Sequence, residues 1–140
     1  MKKAIIVYQS KTGTTKSFAE AIKKHLQSKQ LETRCHDVTT AGPTLPGDTD
    51  LLLLGCWTKG LMVICQHPDA EWSNYARDLV VPDHAKLVLF TTYKLRTGSM
   101  FRKMAGSLGI TGKNSLPALQ SRDGKLTEKD QRTLDLLMAG

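Results

Sequence analysis

A short polar segment near the start of the chain, residues 10–15 with the sequence SKTGTT, directly follows an apolar run. It contains no acid, and four of its six residues carry a hydroxyl group: Ser10, Thr12, Thr14 and Thr15. A helix that begins at residue 13 or 14 has unpaired backbone N–H groups at the positive end of its dipole. Gly13 permits a positive φ or a close approach of the backbone to a ligand. Because a plain helix cap needs only one hydroxyl, the additional donors favour a loop that binds a phosphate group.

This segment lies at the first junction of a regular alternation between predicted strands and predicted helices. Five apolar or alternating runs predict strands: residues 4–8, 31–35, 51–54, 87–90 and 115–120. Side chains at helical spacing predict four helices: Thr15, Phe18, Ile22 and Leu26; Trp72, Tyr75, Ala76 and Leu79; Met100, Phe101, Met104 and Leu108; Leu134, Leu137 and Met138. Pro117 cannot donate to a strand ladder, so the last strand is predicted at an edge of the sheet.

The alternation predicts an α/β fold with one domain over residues 1–140. Strands separated by helices imply right-handed crossovers and a parallel sheet. We expect a three-layer sandwich, with a five-stranded parallel sheet in the order 2-1-3-4-5 and helices on both faces. Ligands of such folds bind beyond the carboxyl ends of strands 1 and 3, where the strand order reverses. The hydroxyl-rich segment is predicted to lie at that place.

Several other classes of phosphate site do not match the sequence. The chain lacks the GxxxxGK[ST] loop of nucleotide triphosphatases and the GxGxxG turn of dinucleotide-binding folds. Response-regulator receivers need acids after the first strand and an Asp after the third, where this chain has Gln9-Ser10 and Gly55-Cys56. Small tyrosine phosphatases need a cysteine in the first loop, and none is present there.

Composition narrows the class further. The formal net charge is +7, but the lysines and arginines are scattered and do not interleave with aromatic residues, which favours a solvated surface over a nucleic-acid site. The three cysteines have no CxxC spacing and the four histidines have no metal-ligand spacing, so we expect neither a disulfide framework nor a metal site. No run of residues suits a signal peptide or a membrane span, and we expect a cytoplasmic protein without a membrane partner.

Tyr8, Ser10, Thr12, Gly13 and Thr15 resemble the flavodoxin signature, in which an S-x-T-G-x-T loop holds the phosphate of FMN. The resemblance covers essentially the whole chain, including the order of elements and the short length without the insertion of long-chain flavodoxins. It implies a flavodoxin-like fold, an FMN site and a role in electron transfer. It also implies that the complete loop, with Lys11 and Thr14 included, holds the phosphate.

The flavodoxin family places two further loops beside the flavin ring, after the third and fourth strands. In this chain they are GCWTKG, residues 55–60, and FTTYKLRTG, residues 90–98. The resemblance implies that Trp57 and Tyr93 stack on the ring. It implies further FMN-binding positions at Cys56, Thr58, Thr91, Thr92 and Gly98. Cys56 also has a plainer interpretation as a small buried apolar residue. The second loop departs from the family pattern, which usually has Gly and Asp with a tyrosine further on.

The function implied is that of a single-electron carrier between a reductase and an acceptor protein, with FMN as its redox group and no catalytic residue of its own. Two alternatives stay open. One is an FMN-dependent oxidoreductase that passes electrons from NAD(P)H to a quinone-type acceptor, which is less favoured because no additional segment is available for a nicotinamide. The other is a binding module that has kept the fold and lost the flavin.

Basic residues in the ring loops set this chain apart from flavodoxins, which are typically acidic. Lys59, Lys94 and Arg96 are predicted to border the flavin. A nearby positive charge stabilises a reduced, anionic flavin, so a less negative reduction potential is expected. The same charges predict redox partners with an acidic docking surface. A monomer is the default expectation.

Overall fold

The computed structural model describes residues 3–61, 64–67, 69–82, 84–93, 99–109 and 116–139, and for residues 59–61 and 64–67 it describes the backbone alone. The elements in chain order are β1 (Lys3–Gln9), α1 (Thr14–Ser28), β2 (Glu32–Asp37), β3 (Leu51–Trp57), β4 (Lys59–Leu61), β5 (Ile64–His67), α2 (Ala70–Asp78), β6 (Lys86–Thr92), α3 (Met100–Ser107), β7 (Ala118–Ser121) and α4 (Glu128–Ala139). Three residues expected beside the flavin, Lys94, Arg96 and Gly98, lie outside the described residues.

Five strands form one parallel sheet in the order β2-β1-β3-β6-β7. Counted among themselves, these strands have the predicted order 2-1-3-4-5, so the predicted fold class is confirmed. The edge position predicted for the last strand is also confirmed, although β7 begins at Ala118 and Pro117 precedes it. The carbonyl of Pro117 still accepts the N–H of Leu89 at 2.9 Å. Pro117 has no N–H to donate on the same side, so it ends the ladder to β6 and β7 begins at the next residue.

The central strands are apolar because helices cover the sheet on both faces. Successive residues of β3 belong to opposite faces: Leu51 and Leu53 pack in a core cluster with α1 and α4, and Leu52 and Leu54 pack in a second cluster with α2 and α3. All four side chains are at most 1% exposed. A strand buried on both faces shows a continuous apolar run instead of alternation. Among the described helices, none is long and apolar enough to cross a membrane.

A glycine near the end of β3 allows an aromatic pair to pack beneath the loops. A Cβ added at Gly55 would lie 2.0 Å from Cε2 of Phe90 on the neighbouring strand β6. The ring of Phe90 occupies that space and meets Phe18 of α1 edge to face, with ring centroids 5.8 Å apart. This packing fixes α1 against the sheet close to the carboxyl ends of β3 and β6.

Three details differ from the sequence predictions. A short antiparallel hairpin, β4–β5, follows β3 and forms a separate two-stranded sheet that was not predicted. Its two short strands show no clear alternation, and the residues between them include no Gly, Asn or Asp to indicate a turn. Helices α2 and α3 end one residue earlier than their apolar spacing predicted, because Leu79 and Leu108 are the C-cap residues.

Candidate functional site

Residues 10–13 connect β1 directly to α1 and present the first turn of that helix at the carboxyl edge of the sheet. Gly13 is the N-cap residue with φ 94°, a conformation that favours glycine, and a Cβ there would meet nothing within 4 Å. Its N–H donates to Ser10 Oγ at 3.0 Å, and its carbonyl accepts the N–H of Ser17 at 2.9 Å. No side chain of the described residues caps α1, and its first turn has no acid. The first N–H groups of the helix therefore have no side-chain cap among the described residues.

The hydroxyl groups of this loop fall into two groups. The hydroxyls of Thr12 and Thr14 lie 3.5 Å apart on the accessible side, where Ser10, Lys11 and Gly13 are also accessible. Thr15 differs, because it is 1% exposed and its hydroxyl is 2.5 Å from that of Thr92 on β6. The structure thus directs the Thr15 hydroxyl into a buried pair that ties α1 to β6. Its backbone N–H still belongs to the first turn of the helix.

Thr91 and Thr92, expected from the sequence to reach the flavin, have buried hydroxyl groups. Thr91 is 0% exposed, and its hydroxyl donates to the carbonyl oxygen of Cys56 at 2.5 Å. The Thr91 hydroxyl is also 2.9 Å from that of Thr58, whose N–H donates to the carbonyl of Thr92 at 2.9 Å. These bonds join the ends of β3 and β6. The described geometry gives both threonine side chains a role in positioning the loops.

Cys56 is completely buried behind Trp57. Its thiol has two acceptors within range, Gln9 Oε1 at 3.4 Å and the carbonyl of Trp57 at 3.2 Å. Burial raises the pKa of the Cys56 thiol to about 12, so the thiolate does not form near neutral pH. Gln9 also donates to Asp69 Oδ2 at 2.9 Å, which links the end of β1 to the residue that precedes α2. The Cys56 thiol therefore packs beneath the loops, in agreement with its interpretation as a small buried residue.

The two aromatic residues expected to stack on the flavin each have a cation over the ring. The Lys11 Nζ lies 4.9 Å from the ring centroid of Trp57, and the Arg122 Cζ lies 5.5 Å from that of Tyr93. Trp57 and Tyr93 lie at the ends of neighbouring strands, since Trp57 pairs with Thr92. The indole Nε1 of Trp57 is buried and has no hydrogen-bond partner among the described residues. The indole Nε1 of Trp72 in the core is likewise buried without a partner, so this feature alone does not indicate a ligand.

Arg122 is not among the residues predicted from the sequence to form the site, yet it belongs to this edge of the sheet. It directly follows β7, and the N–H of Tyr93 donates to the carbonyl of Ser121 at 3.1 Å. The Oγ of Ser121 accepts the N–H of Gly124 at 3.0 Å, and Gly124 has φ 82°. A Cβ at Gly124 would lie 2.8 Å from the carbonyl oxygen of Thr14, so the turn packs closely on α1. The predicted strand order could have indicated this position of the turn, because the end of β7 adjoins the end of β6 in a parallel sheet.

Two cavities among the described residues lie outside the loops that carry Trp57 and Tyr93. One, of about 70 Å³, is near the amino ends of β1 and β2 and is lined by Lys3, Glu32 and Asp48 among others. The other is an open groove of about 430 Å³ between α1 and residues 124–126. Neither cavity is lined by Trp57 or Tyr93. The candidate site is therefore defined by the loops at the sheet edge and by their unpaired donors.

The sheet order defines a doubly wound α/β protein, and its switch point carries an uncapped, hydroxyl-rich first turn of the kind that suits an anion. The family model described as Flavodoxin matches residues 6–95, which include β3, β6, the carboxyl end of β1 and the loop that follows it. The chain belongs to the flavodoxin family. Membership of this family supports an FMN-type electron-transfer protein.

Solved structures show the same fold at low sequence identity. The two-electron reduced flavodoxin of Megasphaera elsdenii is 19% identical, with 97% of this chain and 98% of that chain covered and a TM-score of 0.71. Flavodoxin 1 of Bacillus cereus is 15% identical, with coverages of 98% and 95% and a TM-score of 0.66. Rubredoxin oxygen:oxidoreductase of Desulfovibrio gigas is 10% identical with a TM-score of 0.69. There 99% of this chain is covered, but it spans only 35% of that longer chain.

Proposed function

We propose that this protein binds FMN at the carboxyl ends of β1, β3 and β6 and carries electrons between a reductase and an acceptor protein. One observation supports this most strongly: α1 begins without a side-chain cap in the hydroxyl-rich loop SKTGTT. A phosphate group complements the partial positive charge of a helix N-terminus. A plain helix start would use one of these hydroxyls as a cap, and none of them caps α1.

Different residues of the site would bind different parts of the ligand. The backbone N–H groups of the first turn of α1 and the hydroxyls of Thr12 and Thr14 would hold the phosphate. The rings of Trp57 and Tyr93, at the ends of β3 and β6, would flank the isoalloxazine and exclude water from its faces. FMN, once bound, supplies the redox chemistry, and the protein supplies binding, orientation and electrostatics. The buried bonds of Thr91 and Thr92 would keep the two ring loops in register.

A redox partner with an acidic docking surface would suit the exposed charges around these loops. Lys11, Lys16, Arg122 and Lys125 are exposed near the first turn of α1 or on the turn packed against it, with Asp123 as an exposed acid among them. The whole chain has a formal net charge of +7. Opposite charges steer association and make its rate depend on salt. A cytoplasmic location is part of this proposal, and three cysteines without CxxC spacing suit a reducing compartment.

The decisive experiment identifies the bound ligand and the reaction together. The purified protein should show flavin absorbance, and acid should release FMN that is identified by chromatography. Apoprotein should bind FMN and should bind riboflavin, which lacks the phosphate, at least tenfold more weakly. Failure of the apoprotein to bind FMN would reject the proposal. The loaded protein should oxidise NAD(P)H only when a separate reductase is added, and rapid direct oxidation would favour the oxidoreductase alternative.

A further inference from the structure

Two cations reach the predicted flavin-stacking rings from two different loops. Lys11 comes from the loop between β1 and α1, and its Nζ is 4.9 Å from the centroid of Trp57. Arg122 comes from the turn between β7 and α4, and its Cζ is 5.5 Å from the centroid of Tyr93. Both distances lie within the range of a cation–π contact, which is about 6 Å. Each ring is thus paired with one positive charge.

The position of Arg122 is fixed by the turn that carries it. The Oγ of Ser121 accepts the N–H of Gly124 at 3.0 Å and lies 3.0 Å from the carbonyl of Lys125, which closes the turn. Gly124 packs against Thr14, since an added Cβ would lie 2.8 Å from the Thr14 carbonyl oxygen. The turn therefore packs directly on the first turn of α1. The turn that carries Arg122 and the loop of residues 10–13 therefore lie at the same edge of the sheet.

We propose that Lys11 and Arg122 are positioning residues that hold the rings of Trp57 and Tyr93 and make the site select the reduced, negatively charged flavin over the neutral oxidised ring. This inference rests on the proposed function. The expectation that Lys59, Lys94 and Arg96 also contribute to the electrostatics of the site stays a prediction, since none of their side chains is among those described. Lys11 and Arg122 are the two cations that the described residues place over these rings.

The selectivity follows from charge. Reduction of bound FMN by dithionite adds two electrons and one proton, so the ring gains one negative charge, and dithionite is oxidised to sulfite. A cation that holds a stacked ring lies within about one Debye length of the flavin, which is ~10 Å at 0.1 M salt. At the dielectric constants of a protein surface, each cation should favour the reduced form by about threefold and the pair by about tenfold.

The test compares the dissociation constants of oxidised and reduced FMN for wild type, Lys11→Gln, Arg122→Gln and the double variant at low salt. The constant for the oxidised form comes from flavin fluorescence, and the ratio of the two constants from the midpoint potentials of bound and free FMN. Lys11 also lies near the phosphate, but the phosphate is present in both forms and its contribution cancels in the ratio. The preference for the reduced form should fall about threefold in each single variant and tenfold in the double variant, which is ~30 mV for a two-electron couple.

Two sets of matched variants separate ring positioning from the general field of the protein. Lys125→Gln with Lys129→Gln removes two exposed charges from the same end of the molecule, and neither lysine contacts a ring in the described part of the chain. The ratio should change less than twofold. Lys11→Arg with Arg122→Lys keeps both charges and should retain the wild-type ratio, even if absolute affinities change.

The outcomes are distinct. Wild type that binds neither form of FMN overturns the proposed function and this inference with it. Wild-type binding with an unchanged ratio in the glutamine variants overturns this inference alone, as does an equal loss in the Lys125 and Lys129 control. Tighter binding of both forms by the glutamine variants would show that the cations compete with the flavin for the rings, which also overturns it.

Discussion

The loop of residues 10–13 and the ring loops at Trp57 and Tyr93 share one edge of the sheet but are built differently. The first loop connects adjacent elements, and the groups proposed to bind the phosphate are mainly backbone N–H groups of a helix that starts at Thr14. The ring loops are supported by buried contacts between separate elements, such as those of Thr91 with the Cys56 carbonyl and Thr92 with Thr15 of α1. The first loop depends on local geometry, and the ring loops depend on packing across three elements. Substitutions should therefore affect ligand affinity in the first region and stability in the second.

The largest effect is expected below the ring loops, at Gly55. In Gly55→Ala the new Cβ would lie 2.0 Å from Phe90, whose ring is fully buried against Phe18. Overpacking of this kind should lower the free energy of unfolding by about 3 kcal/mol, as measured by urea denaturation. Gly106→Ala is the matched control, because a Cβ at this helical glycine meets nothing within 4 Å. It should be neutral or stabilise by ~0.5–1 kcal/mol. Similar stabilities for the two variants would contradict the packing described at Gly55.

The next largest effect is expected in the loop of residues 10–13 and the helix start beside it, and it concerns ligand affinity. Thr12→Ala with Thr14→Ala removes the two accessible hydroxyls of the loop. Each lost bond to a charged group should cost ~1.5–3 kcal/mol, so FMN affinity should fall at least tenfold. Riboflavin affinity and the urea midpoint should change little. Isothermal titration with both ligands measures this, and an equal loss for FMN and riboflavin would place the phosphate elsewhere.

Thr15 tests the boundary between the two regions. Thr15→Val keeps the shape of the side chain but leaves the Thr92 hydroxyl buried without its partner at 2.5 Å. An unpaired buried hydroxyl costs ~1–3 kcal/mol, so the free energy of unfolding should fall by about 2 kcal/mol. The ratio of FMN to riboflavin affinity should stay close to that of wild type. A selective loss of FMN affinity with unchanged stability would mean that the Thr15 hydroxyl binds the phosphate.

The spacing of particular residues shows which parts of the fold and of the candidate site could be predicted from the sequence. Leu51–Leu54 and Leu87–Phe90 are continuous apolar runs, so the buried strands and their order could be predicted. Thr15 falls on the same helical face as Phe18 and Ile22, which is a sign of burial, although its hydroxyl was counted among the donors to a ligand. The loop itself could be predicted because Gly13 and its neighbours act within a few residues of one another.

Other parts depend on contacts between distant residues and could not be predicted in this way. The contact of Arg122 with Tyr93 requires the turn at Gly124 to pack on Thr14, which no local pattern specifies. The bond between Thr91 and the Cys56 carbonyl requires the register of β3 against β6. The β4–β5 hairpin is stabilised by pairing between two short strands whose sequence has no turn signal.

The smallest expected effect concerns Trp57, where the two regions meet. Trp57 is partly exposed at the end of β3, under the Lys11 ammonium of the first loop, whereas Trp72 is 1% exposed in the core beside α3. If Trp57 stacks on the flavin, FMN should quench most of its fluorescence, and Trp57→Phe should remove most of the quench. A phenyl ring still stacks, so FMN affinity should fall by only ~0.5–1.5 kcal/mol. Trp72→Phe is the control, and because the chain has two tryptophans its remaining signal reports Trp57 alone. A Trp57→Phe protein that keeps the full quench would exclude Trp57 from the site.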